Sequence, residues 1–496
     1  MASLLLCSTT GSFGARCSAA STGGVTLLTI EIEFIGAAQT VTGSRHLVRT
    51  AKATVLLDCG MFQGRRAQSR KKNERLGLRA DCVDAVVLSH AHIDHSGVLP
   101  MLCKQGYEGP IYATPATRDL CAVMLEDAAM IQASDARFLN KAIERDHVDA
   151  EPIEPLYDRE DVEKALGQMI GLPYHVPQKV AEGVRVTFFD AGHVLGSSVV
   201  ALDIEDEDGT KRIVFSGDLG RHHLPILRDP EVAPAANLLI LESTYGDRLH
   251  PSVQDMEEEL GAVIRRTYAR GGKVIVPSFA LERAQEVIFS LNRLREQGRV
   301  PALPVYVDSP MTVSITEVFR LHPDCYDHET RNLLQSGRSP FDFEGLHYIT
   351  DVEQSKALSR SSEPAVIISA AGMCEAGRVL HHLRATIEDP KHTVAIVGFM
   401  AQNTLGRRIA ERKPRVKIFG VERELRAEVV VLDGFSAHAD QQGLVAFAEA
   451  TRKAGPLQQI ALVHGEPSAQ STLREQLLKR GFTSVVIPAE TERLRL

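Results

Sequence analysis

Within six residues, His90-Ala-His-Ile-Asp-His95 sets four strong metal ligands side by side. Ahead of them runs Ala85-Val86-Val87-Leu88-Ser89, a short apolar stretch with two valines that reads as a buried strand. The ligands therefore fall on the loop leaving a strand's carboxyl end, where open α/β sheets place their sites. A solvated polar turn is the bland alternative, but chance rarely puts three His and an Asp at this spacing behind an apolar strand. A loop this short cannot enclose a metal by itself. The fold must bring other strand ends to it.

Several other strand ends carry suitable groups. Leu28 to Phe34 alternates as a half-buried strand, and Arg45 to Arg49 and Thr54 to Leu57 read as further strands, the last ending in Asp58-Cys59-Gly60. Val184 to Phe189 runs into Asp190-Ala-Gly-His193, Ile213-Val-Phe215 into Ser-Gly-Asp218, and Leu238 to Leu241 into Glu242-Ser-Thr-Tyr-Gly246. Each acid alone is more often a turn residue. Their repetition is the signal. Helices are expected over Pro115 to Ile143 and Asp158 to Met169. From Asp247 to about Val430 the character shifts: strands at Val274–Pro277, Val305–Val307, Ala365–Ser369 and Val394–Val397 alternate with helices at Val253–Arg270, Leu281–Glu296 and Cys374–Ile387. That alternation predicts a parallel sheet in a second α/β domain. Strand-end ligands then return at Ser436-Ala-His438-Ala-Asp440 and Val463-His464-Gly-Glu466, so the second domain reads as inserted into the first. The expected division is 27–246 and 431–496 for the first domain and 247–430 for the insertion.

A chain of 496 residues that is 44% hydrophobic has ample core for two domains. No apolar run reaches the ~18 residues of a membrane span, so no membrane association is expected. The net charge of -8 offers no global basic field, while a local basic cleft stays compatible with it. Eight cysteines without a C-x-x-C pair suit a reducing compartment and a cytoplasmic location. With no Trp and 5% aromatics, a phosphate-reading surface fits better than an extensive stacking one. Residues 1–26 are expected to be a disordered leader; one Arg, Arg16, is thin for a transit peptide and Leu4-Leu5-Leu6 is too short for a secretory segment. His147 and His175 read as surface histidines. His381 and His382 are successive on a helix and cannot share a face, so a surface or core role is expected for them.

His90, His92, Asp94, His95, His193, Asp218 and His464 exceed what one tetrahedral zinc needs. They suit two metals: His90, His92 and His193 on one, Asp94, His95 and His464 on the other, Asp218 bridging. Imidazole with carboxylate favours zinc, with manganese the second candidate. Asp58 fits as the partner that fixes an imidazole or the nucleophile. Two such ions, about 3.5–4 Å apart, generate hydroxide at neutral pH and clamp a phosphodiester.

The His90–His95 motif resembles the H-x-H-x-D-H motif of the metallo-β-lactamase fold, and Asp58, His193 and Asp218 match that superfamily's other metal-site motifs. Glu242-Ser-Thr-Tyr-Gly246, Ser436-Ala-His-Ala-Asp440 and Val463-His-Gly-Glu466 resemble motifs A, B and C of the β-CASP nucleases, the branch with the pre-mRNA 3′-end endonuclease and ribonuclease J. The loops Thr40-Val-Thr-Gly-Ser44 and Ser369-Ala-Ala-Gly-Met373 bring the match closer to bacterial and archaeal RNA-cleaving members. The resemblance spans roughly residues 28–490, without the extra C-terminal domain of ribonuclease J or the N-terminal KH module of archaeal relatives. It implies an αββα sandwich with an inserted β-CASP domain, and a zinc-dependent ribonuclease that cuts single-stranded RNA, in endonucleolytic mode. It implies catalytic roles for Asp58, Asp94, Glu242 and His438, with His438 protonating the leaving 3′-oxygen. Ser278, Ser309, Ser369 and Gly372 would hold RNA phosphates, and a homodimer is allowed. A thioesterase or lactonase of the same fold, a DNA-processing relative and a non-catalytic RNA-binding subunit are the competing readings. The insertion speaks against the first, His464 against the second (DNA members tend to carry Val there), and the intact ligands against the third.

Overall fold

The computed structural model describes residues 30–64, 66–145, 151–207, 209–232, 235–398, 400–401 and 403–496. The leader expected over 1–26 and the surface histidine expected at 147 lie outside them.

Two seven-stranded sheets face each other. The first runs, edge to edge, Arg493–Arg495, Glu31–Gly36, Arg45–Arg49, Thr54–Leu57, Ala85–Val87, Ile111–Ala113 and Met169–Gly171. The second runs Val485–Val486, Gln459–Val463, Leu238–Glu242, Gly209–Phe215, Ser198–Asp206, Val184–Asp190 and Gln178–Ala181. Ile32, Phe34, Val48, Val55 and Val87 of the first meet Val186, Phe188, Val200, Phe215 and Ile240 of the second in one cluster. Each such side chain, fully buried, contributes roughly 1.5–3 kcal/mol. Helices Leu99–Lys104, Pro115–Arg145 and Arg159–Gly167 pack on the outside of the first sheet. Gln441–Ala454 and Pro467–Lys479 cover the second. The result is an αββα sandwich. Ala85–Val87 is buried on both faces, which is why it reads as an unbroken apolar run.

A third sheet has six strands in the order Leu346–Tyr348, Val305–Val307, Val366–Ser369, Val274–Pro277, Thr393–Ile396 and Glu428–Val431. Every pairing in it is parallel. It separates Leu238–Glu242 from Gln459–Val463 in sequence, yet those two strands pair directly, Glu242 opposite Val463. The chain thus leaves and re-enters the sandwich beside the strand ends that carry Asp218, Glu242 and His464.

Some local expectations shift. The helix expected over Cys374–Ile387 forms only over Val379–Thr386, because Cys374 (φ 58°) and Gly377 (φ 81°) take left-handed conformations that interrupt it. The helix expected from Leu281 starts at Arg283, after Glu282 at φ 66°. Several strands escaped the sequence reading, among them Ile111–Ala113 and Ser198–Asp206 inside the sandwich sheets and Glu428–Val431 and Arg493–Arg495 at sheet edges. No described helix is long and apolar enough to cross a membrane. Among the described residues, Cys59, Cys103, Cys121, Cys325 and Cys374 are free thiols.

Candidate metal centre and active site

Backbone hydrogen bonds lace the strand-end loops together. Ser44 N donates to Asp94 O at 2.8 Å, Cys59 N to His95 O at 2.7 Å and Met61 N to Ile93 O at 2.9 Å. Gly60 is required there: a Cβ on it would lie 1.7 Å from Asp94 O. Gly220 is required on the other side, where a Cβ would lie 1.8 Å from Gly192 O beside His193. Ala439 N donates to Leu219 O at 2.7 Å, joining the Asp218 loop to the His438 loop. Ser243 Oγ donates to Val463 O at 2.5 Å and so joins the Glu242 loop to the His464 loop. The side chains are therefore aimed by backbone contacts between loops far apart in sequence.

The seven sequence-predicted ligands converge in two groups. His90 Nε2 lies 3.1 Å from His92 Nδ1, and His193 Nε2 3.3 Å from the same atom. Asp218 Oδ2 is 3.5 Å from His90 Nε2 and 3.6 Å from His193 Nε2. In the second group His95 Nε2 lies 3.3 Å from His464 Nε2, and Asp94 Oδ2 3.5 Å from His464 Nε2. Asp218 turns its other oxygen to this group, Oδ1 standing 3.3 Å from His95 Nε2. A tetrahedral zinc with ligands at about 2.0–2.2 Å spaces its ligand atoms about 3.3–3.6 Å apart. The donor types and their spacings thus fit one dication in each group, with Asp218 between them.

Electrostatics favour the same use in the first group, while in the second burial would lower His95, but Asp218 and Asp58 outweigh it and raise His95 well above the ordinary histidine range. Burial, with the neighbouring imidazoles, holds His90 and His193 well below the ordinary histidine range, and burial pushes His92 down to about 4. Neutral imidazoles are the form that ligates metal. Burial would raise the Asp218 carboxyl, but His464, His95 and His438 outweigh it and hold it well below the usual carboxylate range. Asp58 is fully buried and belongs to none of the candidate ligand groups; it accepts from His95 Nδ1 at 2.6 Å, Ser89 N at 2.8 Å and the hydroxyls of Ser44 and Ser89, both at 3.0 Å. It fixes the ring whose other nitrogen faces the second group.

Glu242 and His438 form a different pair. Glu242 is buried, accepts from Leu219 N at 2.7 Å and Thr244 N at 3.2 Å, and lies 3.1 Å from His438 Nδ1. The second ring nitrogen of His438, Nε2, is left for the cleft, whose wall the residue helps form. Burial lowers the His438 pKa, but Glu242 and Asp218 raise it more, up to about 9. A third group of potential ligand atoms, Asp218, Glu242 and His438, lies within 4.8 Å. Glu242 already accepts two backbone N–H groups, so the pair fits a held proton better than a third ion.

All this opens on a cavity of about 570 Å³ between the sandwich and the inserted sheet. The expected phosphate-binding residues do not reach it. Ser278 is buried and donates to Phe279 O at 3.0 Å. Ser309 caps its helix through Thr312 N at 3.2 Å, and Ser369 donates to Asp308 O at 2.9 Å. Gly372 packs on the Phe279 ring. Their neighbours Phe279, Met311 and Met373 line the cavity instead. Sequence reasoning missed these three, although each sits one or two residues from a residue it picked. His382 takes a core role: fully buried, it holds Asp308 Oδ2 at 2.6 Å, alongside Arg378 at 2.7 Å from Oδ1. His175 is exposed and pairs with Glu231 at 2.6 Å.

The sequence matches three family descriptions: the metallo-beta-lactamase superfamily over residues 42–268, the Beta-Casp domain over 284–409, and the Zn-dependent metallo-hydrolase RNA specificity domain over 422–488. Ribonuclease TTHA0252 of Thermus thermophilus is 37% identical over 446 residues, which cover 90% of this chain and 95% of that protein. Transcription termination factor FttA of Methanosarcina mazei is 31% identical, covering 91% of this chain and 69% of that protein, and FttA of Thermococcus kodakarensis is 31% identical, covering 94% and 71%.

Proposed function

Since the chain belongs to the β-CASP family of metallo-β-lactamase-fold RNA-processing nucleases, we propose that it is a metal-dependent ribonuclease that hydrolyses single-stranded RNA endonucleolytically, with two zinc ions. The observation that carries this is the Glu242–His438 pair beside Asp218, on the wall of a cavity closed by an inserted sheet. A generic hydrolase of this fold needs the ligands but not a second acid of this kind.

His90, His92 and His193 would hold one ion, Asp94, His95 and His464 the other, with Asp218 shared. Bound there, dications supply hydroxide at neutral pH and offset phosphate charge. The chain's own residues do the rest. Asp58 orients His95. Glu242 holds a proton on His438, whose Nε2 gives it to the leaving 3′-oxygen as the P–O bond breaks. Water's oxygen ends on phosphorus, so the products carry a 5′-phosphate and a 3′-hydroxyl. The apolar insertion wall keeps bulk water from the bond. In this reading residues 247–430 are the inserted unit, and 27–246 with 431–496 the sandwich. It extends to a cytoplasmic location, supported by the free thiols, and to a homodimer, which light scattering would test.

The deciding experiment incubates the protein with labelled single-stranded RNA, matched DNA and a thioester, before and after chelation and with zinc or manganese restored. RNA cleavage lost on chelation and regained with zinc is expected. Fast thioester turnover with RNA untouched would overturn the reading.

A further inference from the structure

The cleft is short of cations. Among the described residues that line it, only Lys72 and Arg283 carry a cationic side chain other than imidazole. Arg283 is buried and held by Glu286. Glu282, Glu466, Asp94 and Asp218 line the same cavity, and RNA brings a further charge with each phosphate. Lys72 is therefore the solvent-facing cation at this site. It sits on helix Arg66–Asn73, within a stretch quite unlike the rest of the chain. Between 65 and 75 the sequence has six cations (Arg65, Arg66, Arg70, Lys71, Lys72 and Arg75) and one acid, Glu74, against a net charge of -8 for the whole chain.

The helix is fastened to the metal loop. Asn73, buried, accepts from Phe62 N at 2.8 Å and donates to Phe62 O at 2.8 Å. Lys72 Nζ stands 4.6 Å from the centre of the Phe62 ring, with Arg45 5.0 Å from that centre. Arg45 in turn donates to Gly60 O at 2.8 Å, and Gly60 packs on Asp94 O. A phosphate held by this helix is thus placed at a fixed offset from the metal residues. Ser69, Gln63 and Thr42 line the cavity beside Lys72. Lys71 is exposed and has no carboxylate within ion-pair distance among the described residues. Lys72 pairs with Glu490 at 3.0 Å, both about half exposed. Such a pair is worth little and yields readily to a phosphate.

We propose that helix Arg66–Asn73 is the docking track for the RNA backbone where the strand leaves the cleft, Lys72 taking the phosphate at the cavity and Lys71, about 100° round the helix, the next phosphate outward. Glu490 covers Lys72 until the strand arrives. The helix reads charge, not base or sugar, so it sets affinity and leaves the cleavage step alone. The inference rests on the ribonuclease reading.

The test uses the full chain, a labelled single-stranded RNA and bis(p-nitrophenyl) phosphate, a phosphodiester whose single phosphate cannot occupy the metal site and the helix together. Lys71→Gln/Lys72→Gln should raise the RNA Kd about tenfold and flatten the log–log salt slope by about 1.4, at roughly 0.7 per single-strand phosphate contact. Hydrolysis of the small diester should stay within about twofold, since the metal residues are untouched. Lys72→Arg should retain native affinity. Glu490→Gln should act in the opposite direction, tightening RNA about twofold by uncovering Lys72, a change no structural role of Lys72 explains. If the double variant melts early, Glu490→Gln decides alone. An unchanged Kd and salt slope in the double variant, or no tightening in Glu490→Gln, would overturn the track. Failure of the native protein to bind or cut RNA at all would overturn the ribonuclease reading instead.

Discussion

The two walls of the cleft are built on opposite rules. The sandwich wall presents carboxylates and imidazoles at strand ends, and holds them with backbone bonds between loops. The inserted wall presents Phe279, Leu281, Met311 and Met373 beside the buried Glu282 and Arg283, and turns its strand-end serine and aspartate inward, Ser369 onto Asp308 O and Asp308 onto His382 and Arg378. The groups proposed to do the chemistry thus lie on one side, and most of the apolar shape on the other. A change on the sandwich wall should remove a reaction step. A change on the inserted wall should alter how well an RNA strand is seated.

Asp218→Ala tests the first rule at its centre, because Asp218 faces both groups of ligands. RNA cleavage should fall on the order of 10⁴-fold, and metal analysis should find at most one zinc per chain. Two retained zincs with near-native cleavage would mean that the carboxylate does not join the groups. His438→Ala is the next largest. It should lower the rate about 10²–10⁴-fold, as loss of a general acid does, with metal content unchanged. A missing ion in that variant would make His438 a ligand and undo the division between holding metal and holding a proton.

The second rule predicts a different signature. Phe279 lies on the cavity wall, with Gly372 and Gly398 against its ring. Phe279→Ala should raise KM for RNA about tenfold, in line with the ~1–3 kcal/mol of one base–aromatic contact, and leave bis(p-nitrophenyl) phosphate hydrolysis untouched. Equal losses on both substrates would show that this wall also supports the metal residues.

The same contrast explains what could be read in the sequence. Every residue of the two candidate ligand groups was legible, because a His or Asp just past an apolar strand has few structural reasons to recur at so many strand ends. Parallel strands such as Val274–Pro277 and Val305–Val307 were legible as bounded apolar runs. The inserted wall was not. A serine in a βα turn looks the same whether it binds phosphate or its own backbone, and only the side-chain direction, fixed by tertiary packing, separates the two. Glu282 and Cys374 take left-handed backbone conformations for which their residue types give no signal, so the helix starts near them were misplaced. The basic stretch around Lys72 was hidden for another reason: it vanishes in the net charge of the chain.

Ser278→Ala brings the smallest effect and the sharpest test of the contrast. If the Ser278 hydroxyl held a phosphate, its loss would raise KM for RNA about tenfold while the fold stayed intact. The geometry argues otherwise. The residue is 1% exposed, and its Oγ donates to Phe279 O at 3.0 Å, so the bond it makes shapes the loop that presents the Phe279 ring. Removing it should cost about 1 kcal/mol of stability, the net worth of one hydrogen bond, read as a small drop in denaturation midpoint. KM should change less than about twofold, because a contact that was never made to substrate cannot be lost. The double variant Ser278→Ala/Phe279→Ala should then be no worse for RNA than Phe279→Ala alone, since the serine acts only through the ring that is already gone.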